Sequence, residues 1–180
     1  LGVSHGAAVA IEYAVRHPER VSHLILYGGF LQGRLKRGPS PEQIEEETQL
    51  QQMARTGWGK NHPAFRRIFT SRFVPDATPE QTRAFDDLQR ISTSPENAER
   101  FLQAFNEIDV VDRAKKVKVP TLVVHARDEA EVPVEQARLM ASTIPSATFI
   151  SLESGNHILG SHEPAWDFFL EEVKKFVSGK

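Results

Sequence analysis

Three short segments of this chain hold side chains that together could carry out nucleophilic chemistry. Gly2-Val3-Ser4-His5-Gly6 has the G-x-S-x-G form of a nucleophile elbow. In such an elbow a sharp strand-to-helix turn pushes a serine hydroxyl out at the top of a sheet. Asp128 and Glu129 lie in an acidic loop running from Arg127 to Pro133, and Gly155-Asn156-His157 follows further on. A serine hydroxyl is a weak nucleophile until a base takes its proton and a carboxylate orients that base. The chain supplies these groups in the order serine, acid, histidine. The elbow also makes demands on its glycines. A side chain at Gly2 or at Gly6 is expected to collide with the neighbouring strand or helix, in a turn that is itself strained.

The elements around these segments have the pattern needed to position them. Ala7 to Val15 is small and apolar almost throughout and reads as a buried helix, stopped at Arg16-His17-Pro18. Val21 to Tyr27 reads as a buried strand closed by Gly28-Gly29. Val119 to Ala126 reads as a second buried strand, entered through Pro120, and leads directly into the acidic loop. Val134 to Thr143 is a helix. Thr148 to Leu152 is a further strand and leads into Glu153-Ser154-Gly155-Asn156-His157. The last helix starts at Glu163-Pro164, with one apolar stripe of Trp166, Phe169, Leu170, Val173, Phe176 and Val177. Acid and histidine thus each follow a strand of a parallel α/β arrangement.

Between these parts lies a polar, helix-rich stretch. The chain divides into an elbow, helix and strand over 1–32, a helical insertion over 33–112, and a return to strand and helix over 113–180. In the insertion, Pro41 to Trp58 is a charged helix with a weak stripe of Ile44, Leu50, Met53 and Ala54. Phe65, Ile68, Phe69 and Phe73 form one helical face. Thr78-Pro79-Glu80-Gln81 and Ser94-Pro95-Glu96-Asn97 are helix starts, the second carrying Ala98, Phe101, Leu102 and Phe105 inward. An aromatic-rich insertion of this kind reads as a lid over the carboxyl ends of the strands, where open α/β sheets bind ligands.

Composition narrows the function classes. The 180 residues are 39% hydrophobic and 26% charged, as in a globular chain, with a net charge of −2. That balance argues against binding nucleic acid or an anionic membrane. There is no cysteine, hence no disulfide framework and no thiolate metal site, which agrees with a cytoplasmic setting. No apolar run is long enough to span a bilayer. No histidine pair has metal-ligand spacing, so no metal or other cofactor is expected. His17 reads as a surface helix end and His125 as a core residue on a buried strand. His5, His23, His62 and His162 have no partner at metal spacing.

Together these residues resemble the α/β-hydrolase fold family. More narrowly, they are similar to hydrolase domains found alone or fused to bacterial adenylate-cyclase or LuxR-type signalling modules. The resemblance rests on Gly2-Val3-Ser4-His5-Gly6, Arg16-His17-Pro18-Glu19-Arg20-Val21, the strand Val119 to His125, Val132-Pro133 and Gly155-Asn156-His157. The stretches Asn61 to Arg66 and Pro75 to Pro79 share the character of the narrower group. The resemblance implies the C-terminal part of the fold, with about three parallel strands, flanking helices and an inserted helical lid. It makes Ser4 the nucleophile, His157 the general base and the backbone N–H of His5 an oxyanion-hole donor. The family places its acid three residues before the valine of Val-Pro, which gives Glu129, with Asp128 as the alternative. The implied activity is hydrolysis of a small carboxylic ester or related acyl compound through an acyl-enzyme. The alternative is a ligand-sensing domain of a signalling or transcriptional regulator.

The resemblance also implies what the chain lacks. A second oxyanion donor comes from a loop ahead of the elbow in this fold, and such a loop is expected upstream of Leu1. The chain then reads as a fragment without that donor, slowed by roughly two to three orders of magnitude or inactive. The strand Val21 to Tyr27 is expected to expose an unpaired apolar edge, open to self-association.

Overall fold

The computed structural model describes residues 1–60 and 63–179. His62 and the start of the Asn61 to Arg66 stretch lie outside the described residues. Among the described residues four strands, β1 (Gly2–Val3), β2 (Leu24–Tyr27), β3 (Thr121–Ala126) and β4 (Ala147–Leu152), form one parallel sheet in that order. The helices are α1 (Gly6–Arg16), α2 (Pro41–Gly57), α3 (Pro63–Phe73), α4 (Pro79–Ser92), α5 (Pro95–Asn106), α6 (Val111–Ala114), α7 (Val134–Thr143) and α8 (Pro164–Ser178). The chain forms two compact units, one of Leu1–Leu31 with Asp109–Lys180 and the other of Gln32–Ile108.

In the sheet unit, the pleat sends alternate side chains to two cores. Leu24, Leu26 and Val123 pack with Ala7, Ile11 and Ala14 of α1 and Ala137 and Met140 of α7. Tyr27, Leu122, Val124 and Leu152 pack with Ala165 and Phe169 of α8. All six residues of β3 are buried, which explains why the strand does not alternate apolar and polar side chains. Trp166, Leu170, Val173 and Phe176 join the second core as expected, but Val177 is half exposed, one position past the buried stripe. Outside the cores, Glu12 of α1 receives two hydrogen bonds from the Arg113 guanidinium of α6, at 2.5 and 2.6 Å.

The sheet edge differs from expectation. Gly2 pairs with Leu26 and Val3 with Tyr27, so β2 is an inner strand and β1 takes the edge position among the described residues. Leu1, Val3, Val9 and Tyr13 carry the exposed apolar surface on that side.

The helical unit is built from helices with well-marked starts. Ser40 and Thr78 form capping boxes with Gln43 and Gln81, and Ser94 accepts from the Asn97 N–H. Each cap is followed by proline at the first helical position. Ala54, Phe69 and Ala98 form its core with Leu50, Trp58, Phe65 and Leu102. Phe101, expected to point inward, is 51% exposed and stacks on Phe105 one turn later. A buried carboxylate, Glu47, accepts from Arg34 Nη1 at 2.9 Å and from Asn106 Nδ2 at 3.0 Å. Among the described residues no helix is long and apolar enough to cross a membrane, and no group of acidic and histidine side chains could hold a metal ion.

Candidate active site

The parallel register brings four strand ends to one edge. Val3, Tyr27, Val124 and Ile150 lie in one row across the sheet, so Ser4, Gly28, His125 and Ser151 form the next. The ladder runs on past the strands, with the Ser4 N–H donating to Tyr27 O and the Gly28 N–H to Val124 O, both at 2.9 Å.

Ser4 stands at φ +53°, the left-handed region that an L-residue occupies only under constraint. The turn is held because Gly2 and Ser4 cannot move apart from α1. A Cβ on Gly2 would lie 2.6 Å from Gly6 O and 2.8 Å from Ala7 Cα, so the strand passes directly beneath the helix start. Gly6 differs from the expectation, because a Cβ there would meet nothing within 4 Å. The clash argument holds for the first glycine of the motif and fails for the second, which faces open space. His5 is the N-cap residue of α1, so its N–H lies at the positive end of the helix. Its imidazole is held below the usual histidine range by burial and then by the charge of His157.

His157 is 1% exposed and sits over Gly28. A Cβ on Gly28 would lie 3.0 Å from His157 Cε1, and Gly28 itself has φ +56°, so a side chain there would displace the imidazole. The loop carrying His157 is tied down locally. Ser154 Oγ donates to Glu163 Oε2 at 2.7 Å, the Gly160 N–H donates to Glu163 Oε1 at 2.5 Å, and the Asn156 N–H donates to Ser154 Oγ at 3.0 Å. The Arg127 N–H donates to Leu152 O and the Asp128 N–H to Ser154 O, joining the loop after β3 to the loop after β4.

Of the two candidate acids, Glu129 is the one brought to His157. Glu129 Oε1 lies 3.2 Å from His157 Nδ1, with both side chains buried. The Val132 N–H donates to both carboxylate oxygens at 3.0 Å and the Glu131 N–H to Oε2 at 2.7 Å. Burial alone would push the Glu129 carboxyl up. The hydrogen bonds from His125 and His157, the His157 charge and the Val132 N–H outweigh it and hold the carboxyl at about 2. Asp128 turns the other way, 65% exposed, with its carboxylate 3.4 Å from the Arg127 guanidinium.

Two groups at this site carried no functional signal in the sequence. His125, read as core, is fully buried, but its Nε2 lies 2.9 Å from Val132 O and 3.2 Å from Glu129 Oε1. Its place four residues before Glu129, at the end of the strand feeding the acid loop, is the one sequence feature that could have marked it. Glu163, read only as a helix start, is the anchor of the His157 loop. His23 lies edge-on to Phe176, and His17 follows the last turn of α1 against Tyr13.

A serine on a strained turn, an imidazole at the same sheet edge and a buried carboxylate against that imidazole are the parts needed for acyl transfer. Comparison with known proteins places them in a family. The family model described as serine aminopeptidase, S33, matches residues 1–164. The chain belongs to this α/β-hydrolase family. Among curated α/β-hydrolase relatives, a Klebsiella pneumoniae (strain 342) protein described as a carbamate hydrolase, RutD, is 26% identical over 163 residues, covering 87% of this chain and 58% of that protein. A pimeloyl-[acyl-carrier protein] methyl ester esterase of Neisseria meningitidis serogroup B / serotype 15 (strain H44/76) is 27% identical, covering 99% of this chain and 68% of that protein. An esterase from Exiguobacterium antarcticum has the same fold, with a TM-score of 0.79 at 23% identity, covering 98% of this α/β-hydrolase chain and 65% of that one. The chain thus spans 58% of the length of the carbamate hydrolase relative.

Proposed function

We propose that this α/β-hydrolase chain carries the nucleophile, base and acid of an esterase-like enzyme acting on a small carboxylic ester or related acyl compound. Ser4 Oγ attacks the acyl carbon while His157 takes its proton, and the Glu129 carboxylate holds the imidazole and stabilises the imidazolium that forms. The oxyanion of the tetrahedral intermediate is met by the His5 N–H and, in this fold, by a second donor from a loop ahead of the elbow. Collapse expels the alcohol, which takes the proton from His157. Water then attacks the Ser4 ester, again with His157 as base, and releases the acid. We read the helical unit, inserted in the chain between β2 and β3, as the lid segment that the resemblance implies.

The observation that most supports this reading is the approach of Glu129 to His157 at 3.2 Å, with two backbone N–H groups fixing the carboxylate. The names of the relatives, an ester esterase and a carbamate hydrolase, favour an acyl substrate. A fluorophosphonate probe tests the proposal in the full-length protein. Labelling should occur at Ser4, disappear in Ser4→Ala and fall steeply in His157→Ala. A probe that leaves Ser4 unmodified while the protein is folded would overturn the assignment. Saturable ligand binding without turnover that survives Ser4→Ala would favour a sensor instead.

A further inference from the structure

His125 lies outside the three groups that the proposed chemistry uses, yet it is wholly buried against one of them. Its Nε2 is 2.9 Å from Val132 O and 3.2 Å from Glu129 Oε1. A carbonyl oxygen only accepts, so Nε2 must carry the ring proton. The other ring nitrogen, Nδ1, is buried with no hydrogen-bond partner among the described residues, so a proton placed there would have no acceptor among them. The ring is therefore a single, directed donor. Its neighbourhood explains the direction: His125 is the strand residue in register one step beyond Val124, at the end of the fully buried β3, and cannot turn toward solvent.

The same carboxylate oxygen, Oε1, is shared by two imidazoles. His157 Nδ1 approaches it at 3.2 Å and His125 Nε2 also at 3.2 Å. The backbone N–H groups of Glu131 and Val132 also donate to the carboxylate. A glutamate has one more side-chain torsion than an aspartate, so a glutamate acid needs more restraint to keep one orientation. From these contacts we infer that His125 is a positioning residue for the acid. It donates Nε2–H to the Val132 carbonyl and the Glu129 carboxylate together, fixing the acid loop and the oxygen that faces His157. Because it acts as a neutral donor, it orients the carboxylate without cancelling the charge that the His157 imidazolium requires. His125 touches no reacting atom, and this role rests on the reading of Ser4, His157 and Glu129 given above.

The test uses the full-length protein, with fluorophosphonate labelling of Ser4 and hydrolysis of p-nitrophenyl acetate as readouts. In His125→Leu the donor is lost at similar volume, and kcat and the labelling rate should fall about tenfold to a hundredfold, with KM little changed. Glutamine can place an amide N–H where Nε2 stood, so His125→Gln should recover most of that loss, whereas the shorter His125→Asn should not. In a Glu129→Gln background the same His125→Leu change should cost less than about threefold, because there is no carboxylate left to position. If Ser4 is labelled in the wild type but folded His125→Leu keeps its rate, the inference is wrong. It is equally wrong if the Leu loss persists undiminished in the Glu129→Gln background, since that pattern reports a purely structural role. Should His125→Leu fail to fold, the Gln and Asn variants decide, and equal rates for the two overturn the role. Failure of wild-type Ser4 to react would instead remove the underlying reading, a different outcome from any of these.

Discussion

Glu47 in the helical unit and Glu129 in the sheet unit are both buried carboxylates, and these two are compensated in opposite ways. In the helical unit, Glu47 is met by a permanent cation, the Arg34 guanidinium, and by the Asn106 amide. Its charge is matched on the spot, as structural buried charges are. In the sheet unit, Glu129 is met by two backbone N–H groups and two imidazoles, and among the described residues no guanidinium or ammonium group is seen to pair with it. Its negative charge is kept and directed at a group that can gain and lose a proton. A buried acid held by neutral donors beside a histidine is available for chemistry, and one held by arginine is not. The contrast sets the proposed triad carboxylate apart from Glu47 by its partners alone.

The largest effect should come from removing the charge at Glu129. Glu129→Gln keeps the volume and some of the hydrogen bonding but leaves His157 without its counter-charge and free to take the wrong tautomer. By analogy with triads of this kind, kcat should fall on the order of ten-thousandfold. Steady-state kinetics, with circular dichroism to check folding, measures this. A loss of only a few fold would erase the distinction between the two carboxylates.

The same charge should be visible in stability. The Glu129 carboxyl is held at about 2, below its ordinary 4.5. A depressed carboxyl stabilises the fold above the unfolded value, and that stabilisation is lost as the pH falls toward 2. Between pH 4.5 and 2 the wild type should therefore lose on the order of 3 kcal/mol more than Glu129→Gln, read from urea midpoints across the pH series. Parallel curves for the two proteins would show that the carboxylate is not held as described.

Glu47→Gln should do the reverse, lowering stability and sparing catalysis. Breaking a buried pair usually costs several kcal/mol, but Arg34 is one-third exposed and can turn to water, so about 1–3 kcal/mol is expected. The rate per folded molecule should stay within about threefold, since nothing in the proposed chemistry uses Glu47. A large fall in kcat at unchanged stability would give the helical unit a direct part in the reaction.

Much of the candidate site's arrangement could be read from the chain because its groups sit at strand ends and in fixed order. The spacing from Glu129 to Val132 has a physical cause. The glutamate folds back onto the Val132 N–H, so the acid must lie that far ahead of the valine. The helix starts were equally legible, since Ser or Thr followed by Pro encodes the cap directly. What was hidden depends on tertiary contact. A histidine on a buried strand has one appearance whether it fills space or holds a carboxylate, so His125 read as core. β1 is two residues long, too short for any period to show, which is why β2 was expected at the edge. Phe101 fits the helical stripe of its neighbours, but the stripe is wider than the surface it packs against.

The smallest effect, and the sharpest check on the choice of acid, belongs to Asp128. It is adjacent to Glu129 in sequence and also a carboxylate, but its side chain is 65% exposed and among the described residues it meets the exposed Arg127 guanidinium at 3.4 Å. Exposed pairs of this kind contribute at most about 1 kcal/mol. Asp128→Asn should therefore leave kcat within about twofold and shift stability by no more than about 0.5 kcal/mol. Neighbouring residues in a loop point in different directions, so only one of two adjacent carboxylates can face a given imidazole. If Asp128→Asn fell as far as Glu129→Gln, the loop would have to rotate during the reaction and exchange its two acids. That exchange would break the four contacts that hold the Glu129 carboxylate, with no comparable set waiting for Asp128.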